Sequence, residues 1–288
     1  MEDATKGKEM SIVIGIDVGG STTKIVGFAG SRLIQPLYVR ATDPLASLYG
    51  AFGKFTAQND IKLDEISHVM VCGVGSAYLN APVYGIPTTH VSEFDATGRG
   101  GLYLSGLDNA VIVSMGTGTA IVHADGSSRT YLGGTGVGGG TVIGIAKKMI
   151  GVSQIDDIVA LASDGDISRV DLRLCDITGK NIIPTLPPES TAANFGKVSD
   201  VASPSDIALG ILNMVYESIA MLAVFAARGL GINSIVLTGN LAVLPQSKRI
   251  FSALSGMFNV DFIIPHNARF ATVIGAALEY GDACKRRQ

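Results

Sequence analysis

Residues 12–26 read IVIGIDVGGSTTKIV, and the fold turns on how this stretch is interpreted. Ile12, Val13, Ile14 and Ile16 make a β-branched run of the kind found in strands buried on both faces. Asp17 ends that strand. Gly19 and Gly20 permit a tight bend and a close backbone approach to a ligand. Ser21, Thr22 and Thr23 then offer hydroxyls and main-chain N–H groups, and Lys24 adds a mobile positive charge. A carboxylate, a glycine turn, hydroxyls and a lysine in so short a span suit a magnesium–polyphosphate complex. Amides hold phosphate oxygens, the lysine offsets charge, and the Asp17 carboxylate meets the metal through water. An ordinary hairpin with a Gly-Gly turn is the alternative. The stretch is neither a GxxxxGK[ST] loop nor a GxGxxG loop.

Bulk properties narrow the function classes. The 288 residues are 47% hydrophobic and 16% charged, enough apolar material for one large domain or two ordinary ones and too much for disorder. A net charge of −3 and the absence of tryptophan argue against nucleic acid as a partner. Cys72, Cys175 and Cys284 are far apart and form no CxxC, so neither a metal ribbon nor a disulfide framework is signalled, and a reduced cytoplasm is expected. Residues 1–10 are polar and read as a frayed leader, not a signal peptide.

Downstream, strands are expected at 11–17, 23–29 and 33–40, a helix from Asp43 to Thr56 capped by Thr42 or Asp43, and a buried strand at Ser67–Cys72. A similar order restarts at Ala110: strand, the turn Met115–Thr119 (MGTGT), strand 120–124, the hairpin turn Asp125-Gly126 and another strand. The repetition is one of topology and not of sequence, and it makes the GTGT turn, with Thr117, a second phosphate-loop candidate. Gly133–Gly140 (GGTGVGGG) leads into a helix at 141–150, where free N–H groups at the positive end of the helix dipole would attract an anion. Gln154–Ala162 is helical, and Ile183–Pro188 is a proline-containing connection. Ser203–Gly229 is a long apolar helix, with Ser203 as N-cap, Pro204 in the first turn and Asp206 completing a capping box. Asn213 and Glu217 interrupt it midway, so a buried helix partly covered by a second subunit is expected instead of a membrane span. A strand at 234–237 ends in Thr238-Gly239-Asn240; a helix at 246–257, a strand at 260–264 and a helix at 268–280 follow, before the basic tail Lys285–Arg287.

Asp17 to Lys24, as D-x-G-G-[ST]-x-x-K after a buried strand, resembles the first phosphate loop of the actin-like ATPase superfamily. The segments DVGGSTTK, SEFDATG, MGTGT, GGTGVGGGT, GDISRVDLRLCDI, TAANFGK and ATVIGAA further resemble the type II pantothenate kinases, in that family's order, from about residue 11 to 281. The resemblance implies an α/β actin-like fold: two ribonuclease-H-like lobes, 11–107 and 108–288, with an ATP cleft between them and a dimer helix at 203–229. It implies ATP-dependent phosphorylation of the primary hydroxyl of pantothenate, the first step toward coenzyme A, by a cytoplasmic homodimer using ATP and Mg2+ and contacting neither nucleic acid nor membrane.

By position, the resemblance makes Glu93 the catalytic base and a substrate contact. From the residues alone, Glu93 is equally a helix-start acid, and Asp95 is an equal candidate for the base. Asp17, Gly19, Gly20, Ser21, Thr22, Thr23 and Lys24 are assigned to phosphates and metal, and Thr117 to the γ-phosphate or substrate. Gly139, Gly140, Thr141, Val142 and Ile143 are assigned to the nucleotide, and Gly239 and Asn240 to its adenosine side. Where the family carries an arginine for the pantothenate carboxylate, this chain has Tyr131; Arg129, two residues earlier on the same strand face, is the substitute candidate. The departure leaves open a kinase for another small alcohol. A non-transferring ATP-dependent switch and a sugar-binding regulator are the remaining readings; both lack their expected cysteine clusters here.

Overall fold

The computed structural model describes residues 11–40, 43–178 and 186–285. The expected leader, the cap candidate Thr42, part of the Ile183–Pro188 connection and most of the basic tail lie outside the described residues. The chain divides into two compact units, one running to Leu104 and resuming at Phe270, the other spanning Ser105–Arg269.

The first unit begins with strands β1 (Ile12–Val18), β2 (Thr22–Ala29) and β3 (Arg32–Arg40), helix α1 (Pro44–Gln58), strands β4 (Ile66–Cys72) and β5 (Thr88–His90), and helix α2 (Glu93–Ser105). The sheet order is β3-β2-β1-β4-β5, antiparallel across β1–β3 and parallel across β1, β4 and β5. Every residue of β1 is buried, as its β-branched run requires. Ile14, Ile16 and Val18 pack with Leu48, Phe52 and Phe55 of α1. Asp43 caps α1 by accepting a hydrogen bond from the Ala46 N–H at 2.7 Å, with Pro44 in the first turn.

The second unit holds β6 (Asn109–Met115), β7 (Thr119–Asp125), β8 (Arg129–Thr135), α3 (Gly139–Ile150), α4 (Ile155–Ser163), β9 (Leu172–Arg173), α5 (Leu174–Thr178), β10 (Thr191–Ala193), α6 (Pro204–Leu230), β11 (Ser234–Thr238), α7 (Pro245–Phe258) and β12 (Asp261–Ile263). Its main sheet runs β8-β7-β6-β11-β12, the same connectivity as the first. Helix α6 is its central support: Ile211, Val215, Tyr216 and Ile219 pack under Val111, Val113 and Leu237. Ser203 and Asp206 form the expected capping box. Two thirds of the apolar window of α6 lies inside the protein, which accounts for its membrane-like composition.

The last helix, α8 (Ala271–Lys285), belongs to the first unit and not to the second, where the expected boundary put it. It packs on the face of the first sheet opposite α1, with Val273, Ile274 and Ala277 against Val26 and Phe28. Gly15 makes this possible, because a Cβ there would lie 2.5 Å from the Val273 carbonyl oxygen.

Candidate functional site

In the first unit, the antiparallel register sets Lys24 directly opposite Asp17, and the parallel register sets Cys72 on its other side. The row Lys24–Asp17–Cys72 therefore crosses the sheet near the carboxyl ends of β1 and β4, where open α/β sheets place ligands. Lys24 Nζ lies 3.7 Å from Asp17 Oδ2, and both side chains are about nine-tenths buried. Lys24 is thus not the mobile surface cation expected from the sequence. It is held by a partner across the strand pair, and that partner offsets the cost of burying its charge.

Gly73, with φ of 84°, follows β4. A Cβ on it would lie 2.6 Å from Asp17 Oδ1, so the missing side chain leaves that oxygen its space. Gly20 and Ser21 are exposed at the β1–β2 turn, Gly19 and Thr22 are half-buried, and the Gly19 N–H donates to the Thr22 carbonyl at 3.0 Å. Thr23 differs from expectation: its side chain is fully buried. The pleat turns it to the α1 side, opposite Val18, and leaves only its main chain for a ligand.

Glu93 is the first residue of α2. The residue is exposed, yet surrounding protein atoms partly desolvate its carboxylate and push its pKa above the ordinary range. The Asp17 charge pushes the same way, and Lys24 opposes both. Such a carboxyl is a better proton acceptor near neutral pH than an ordinary glutamate. Burial, Asp17 and Glu93 together drive the Cys72 thiol well above its usual range, so it stays protonated and unreactive. The structure thus brings Asp17, Lys24 and Glu93 together; Asp95, the alternative base, is half-buried in the same first turn of α2.

In the second unit Thr117 is exposed on the turn joining β6 and β7. The following glycines behave differently from the expected anion site. The Gly139 and Gly140 N–H groups donate to the Gly116 and Thr117 carbonyls, each at 2.9 Å. The first-turn amides proposed for phosphate are therefore already engaged in stitching α3 to the GTGT turn. Gly138 is required by that contact, because a Cβ there would lie 2.6 Å from the Thr117 carbonyl oxygen. Thr141 Oγ1 accepts from the Gly138 N–H and donates to the Gly136 carbonyl, so it serves as a cap. Val142 is core, and Gly140 and Ile143 are exposed. Gly239, at φ of 91°, sits against the Met115 main chain, and the buried Asn240 Oδ1 has no hydrogen-bond partner among the described residues. Arg129 and Tyr131 face the same side of β8, opposite Ala124 and Val122, with Arg129 half-buried and Tyr131 exposed.

The segment 191–197, TAANFGK, looks like a simple turn in sequence but folds as an arch clamped by two acids. β10 pairs with β9. Buried Asp171 accepts from the Phe195 N–H at 2.8 Å and from Asn213 Nδ2 at 2.9 Å. Glu217 accepts from Thr191 Oγ1 and Asn194 Nδ2, each at 2.8 Å. The legible signal was Asn213 and Glu217, four residues apart and so on one face of an otherwise apolar helix.

The family model described as Fumble matches residues 109–260, more than half of the chain. Among curated relatives, the "Type II pantothenate kinase" of Bacillus cereus (strain G9842) is 28% identical over 286 residues, covering 93% of this chain and 98% of its own. That of Staphylococcus haemolyticus (strain JCSC1435) is 28% identical over 276 residues, covering 91% and 98%. Among solved structures, the activator of the 2-hydroxyisocaproyl-CoA dehydratase from Clostridium difficile with bound ADPNP aligns at a TM-score of 0.66 and 17% identity, over 96% of this chain and 97% of its own. A ROK family glucokinase from Streptomyces griseus in complex with glucose and AMPPNP aligns at 0.58 and 14%, over 93% and 98%. At such identities these likenesses speak for the fold alone, and that fold is the actin-like ATPase fold with two sheet-containing lobes. The chain belongs to the Fumble family, the family of the type II pantothenate kinases.

Proposed function

We propose that the protein transfers the γ-phosphoryl group of ATP to the primary hydroxyl of pantothenate, the first step toward coenzyme A. The observation that carries this reading is the near end-to-end match to relatives named type II pantothenate kinase. The chemistry of the first unit agrees with it. Glu93 takes the hydroxyl proton as the oxygen attacks the γ-phosphorus, the bond to the β,γ-bridging oxygen breaks, and ADP leaves. Lys24 and main-chain N–H groups of the β1–β2 turn offset phosphate charge.

Asp17, whose Oδ1 is accommodated against Gly73 because that residue has no side chain, is the carboxylate that would meet a divalent cation through water. Magnesium bound there would neutralise charge on the β- and γ-phosphates. Asp17→Asn should therefore raise the magnesium concentration needed for half-maximal activity by about tenfold or more, in line with second-shell losses at metal sites. An unchanged magnesium titration would remove Asp17 from that role. In the second unit, Thr117 contacts the γ-phosphate or the acceptor, and Gly239 and Asn240 the adenosine. Arg129, on the Tyr131 face of β8, takes the pantothenate carboxylate.

The enzyme works as a cytoplasmic homodimer, without nucleic acid or membrane. Leu222 and Phe225 of α6, which remain exposed, support a dimer through that helix. Mass measurement of products from ATP with pantothenate, with carboxylate-free pantothenate amides and with unrelated small alcohols tests the substrate. Phosphopantothenate is the expected main product. Turnover of another alcohol with none of pantothenate would overturn the assignment.

A further inference from the structure

Two segments singled out in the sequence, EFDATG at 93–98 and ATVIGAA at 271–277, meet in the first unit without either touching a reacting group through most of its length. The meeting is backbone to backbone. A Cβ on Gly100 of α2 would overlap the Ala271 carbonyl of α8, and a Cβ on Gly275 of α8 would overlap the Ala96 carbonyl of α2. Each helix thus supplies a glycine for the other's main chain. Beside this crossing, Thr97 Oγ1 and Thr272 Oγ1 lie 3.1 Å apart, both buried. Ala96 and Ala276 pack around Cys72, the register neighbour of Asp17.

These contacts bear on Glu93 by simple helix geometry. Thr97 stands four residues after Glu93 and shares its face of α2. Gly100 lies seven residues along, about 10 Å down the axis. The hydroxyl pair resists rotation of α2 about its axis, and the glycine crossing sets its depth. Helix α8 is itself keyed to β1, the strand of Asp17, at Gly15. Close-packed interiors transmit such displacements instead of absorbing them.

We propose that Thr272 and Gly275 are positioning residues, through which α8 registers the Glu93 carboxylate against Asp17 and Lys24. The proposal rests on the reading of Glu93 as the base. Nothing in it requires α8 to touch substrate. An added methyl group at Gly275 drives α2 outward. A valine at 272 keeps the volume and removes only the partner of the Thr97 hydroxyl.

The test compares Thr272→Val, Thr272→Ser, Gly275→Ala and the control Gly281→Ala, on the same helix with open space around it. Melting curves, the stoichiometry and affinity of ATP binding, and kcat and KM for the acceptor alcohol are read for each. Because a misplacement near 1 Å costs about 10²-fold in rate, Gly275→Ala should lose about that much kcat, with ATP binding and acceptor KM within about threefold of wild type. Thr272→Val should lose about tenfold in kcat, and Thr272→Ser should restore it. Gly281→Ala should be unchanged.

Full kcat in folded Thr272→Val and Gly275→Ala overturns the proposal, as does a loss that Thr272→Ser fails to restore. If Gly275→Ala does not fold, the Thr272 pair decides alone. Glu93→Gln separates the two levels: an active Glu93→Gln removes the base reading itself. An inactive Glu93→Gln beside a fully active Thr272→Val removes only the positioning role.

Discussion

Glu93→Gln is expected to lower turnover by about 10²–10⁴-fold while leaving ATP binding nearly intact, because the amide cannot take the acceptor's proton. Single-turnover transfer and equilibrium nucleotide binding measure the two effects separately, and wild-type turnover would exclude Glu93 as the base. Its electrostatics add a pH signature. Desolvation first, then the Asp17 charge, raise the Glu93 pKa over the partial opposition of Lys24. Turnover should therefore fall on the acid side at a pH above the ordinary glutamate range, as the base becomes protonated.

Stability should follow the opposite sense. A carboxyl whose pKa is raised on folding contributes stability that is fully present below its unfolded pKa and is lost as pH rises through the folded one. Once it loses its proton Glu93 is disfavoured in the native protein, so above its folded pKa Glu93→Gln should melt higher than wild type. Toward pH 4, near the unfolded glutamate pKa of about 4.3, the difference should vanish. Solvent contact with Glu93 keeps the gain small. A less stable Glu93→Gln above the folded pKa would contradict the strained environment assigned to this residue.

Asp171→Ala should be the most damaging single change in the second unit, costing about 3–5 kcal/mol. The carboxylate is wholly buried and accepts from the Phe195 N–H and from Asn213. Removing it orphans the Phe195 N–H, leaves Asn213 Nδ2 only its longer contact to Thr191 Oγ1, and opens a void. It also frees Phe195 from a left-handed conformation, at φ of 57°, that a bulky residue adopts only when held there. Urea unfolding at fixed protein concentration should show a lower midpoint at similar slope. A loss below about 1 kcal/mol would show that the arch is not anchored through Asp171.

Lys24 and Thr23 show where sequence reading stops. Both stand in a turn-and-strand pattern that correctly announces the β1–β2 hairpin. Their faces follow from register: Lys24 falls opposite Asp17 and becomes a buried partner, while Thr23 falls opposite Val18 and enters the core. The Gly139 and Gly140 amides differ from expectation for the same reason. A helix start looks like a free anion site until the chain that packs against it is known. The short strands β5, β9 and β10, with three, two and three residues, offer no alternation to detect.

By itself, the sequence determined the hairpins, the capped helix α6 and the repeated order of elements, because β-branched runs, glycine turns and the Ser203–Asp206 cap act over a few residues. Motif order over nearly the whole chain likewise points to the family. Only the tertiary structure decided that α8 returns to the first unit, that Gly73 makes room for the Asp17 carboxylate, and that Asp171 and Glu217 hold the TAANFGK arch. Those outcomes depend on contacts between residues tens to hundreds of positions apart. No local preference encodes them, since each exists only once both partners are folded into place.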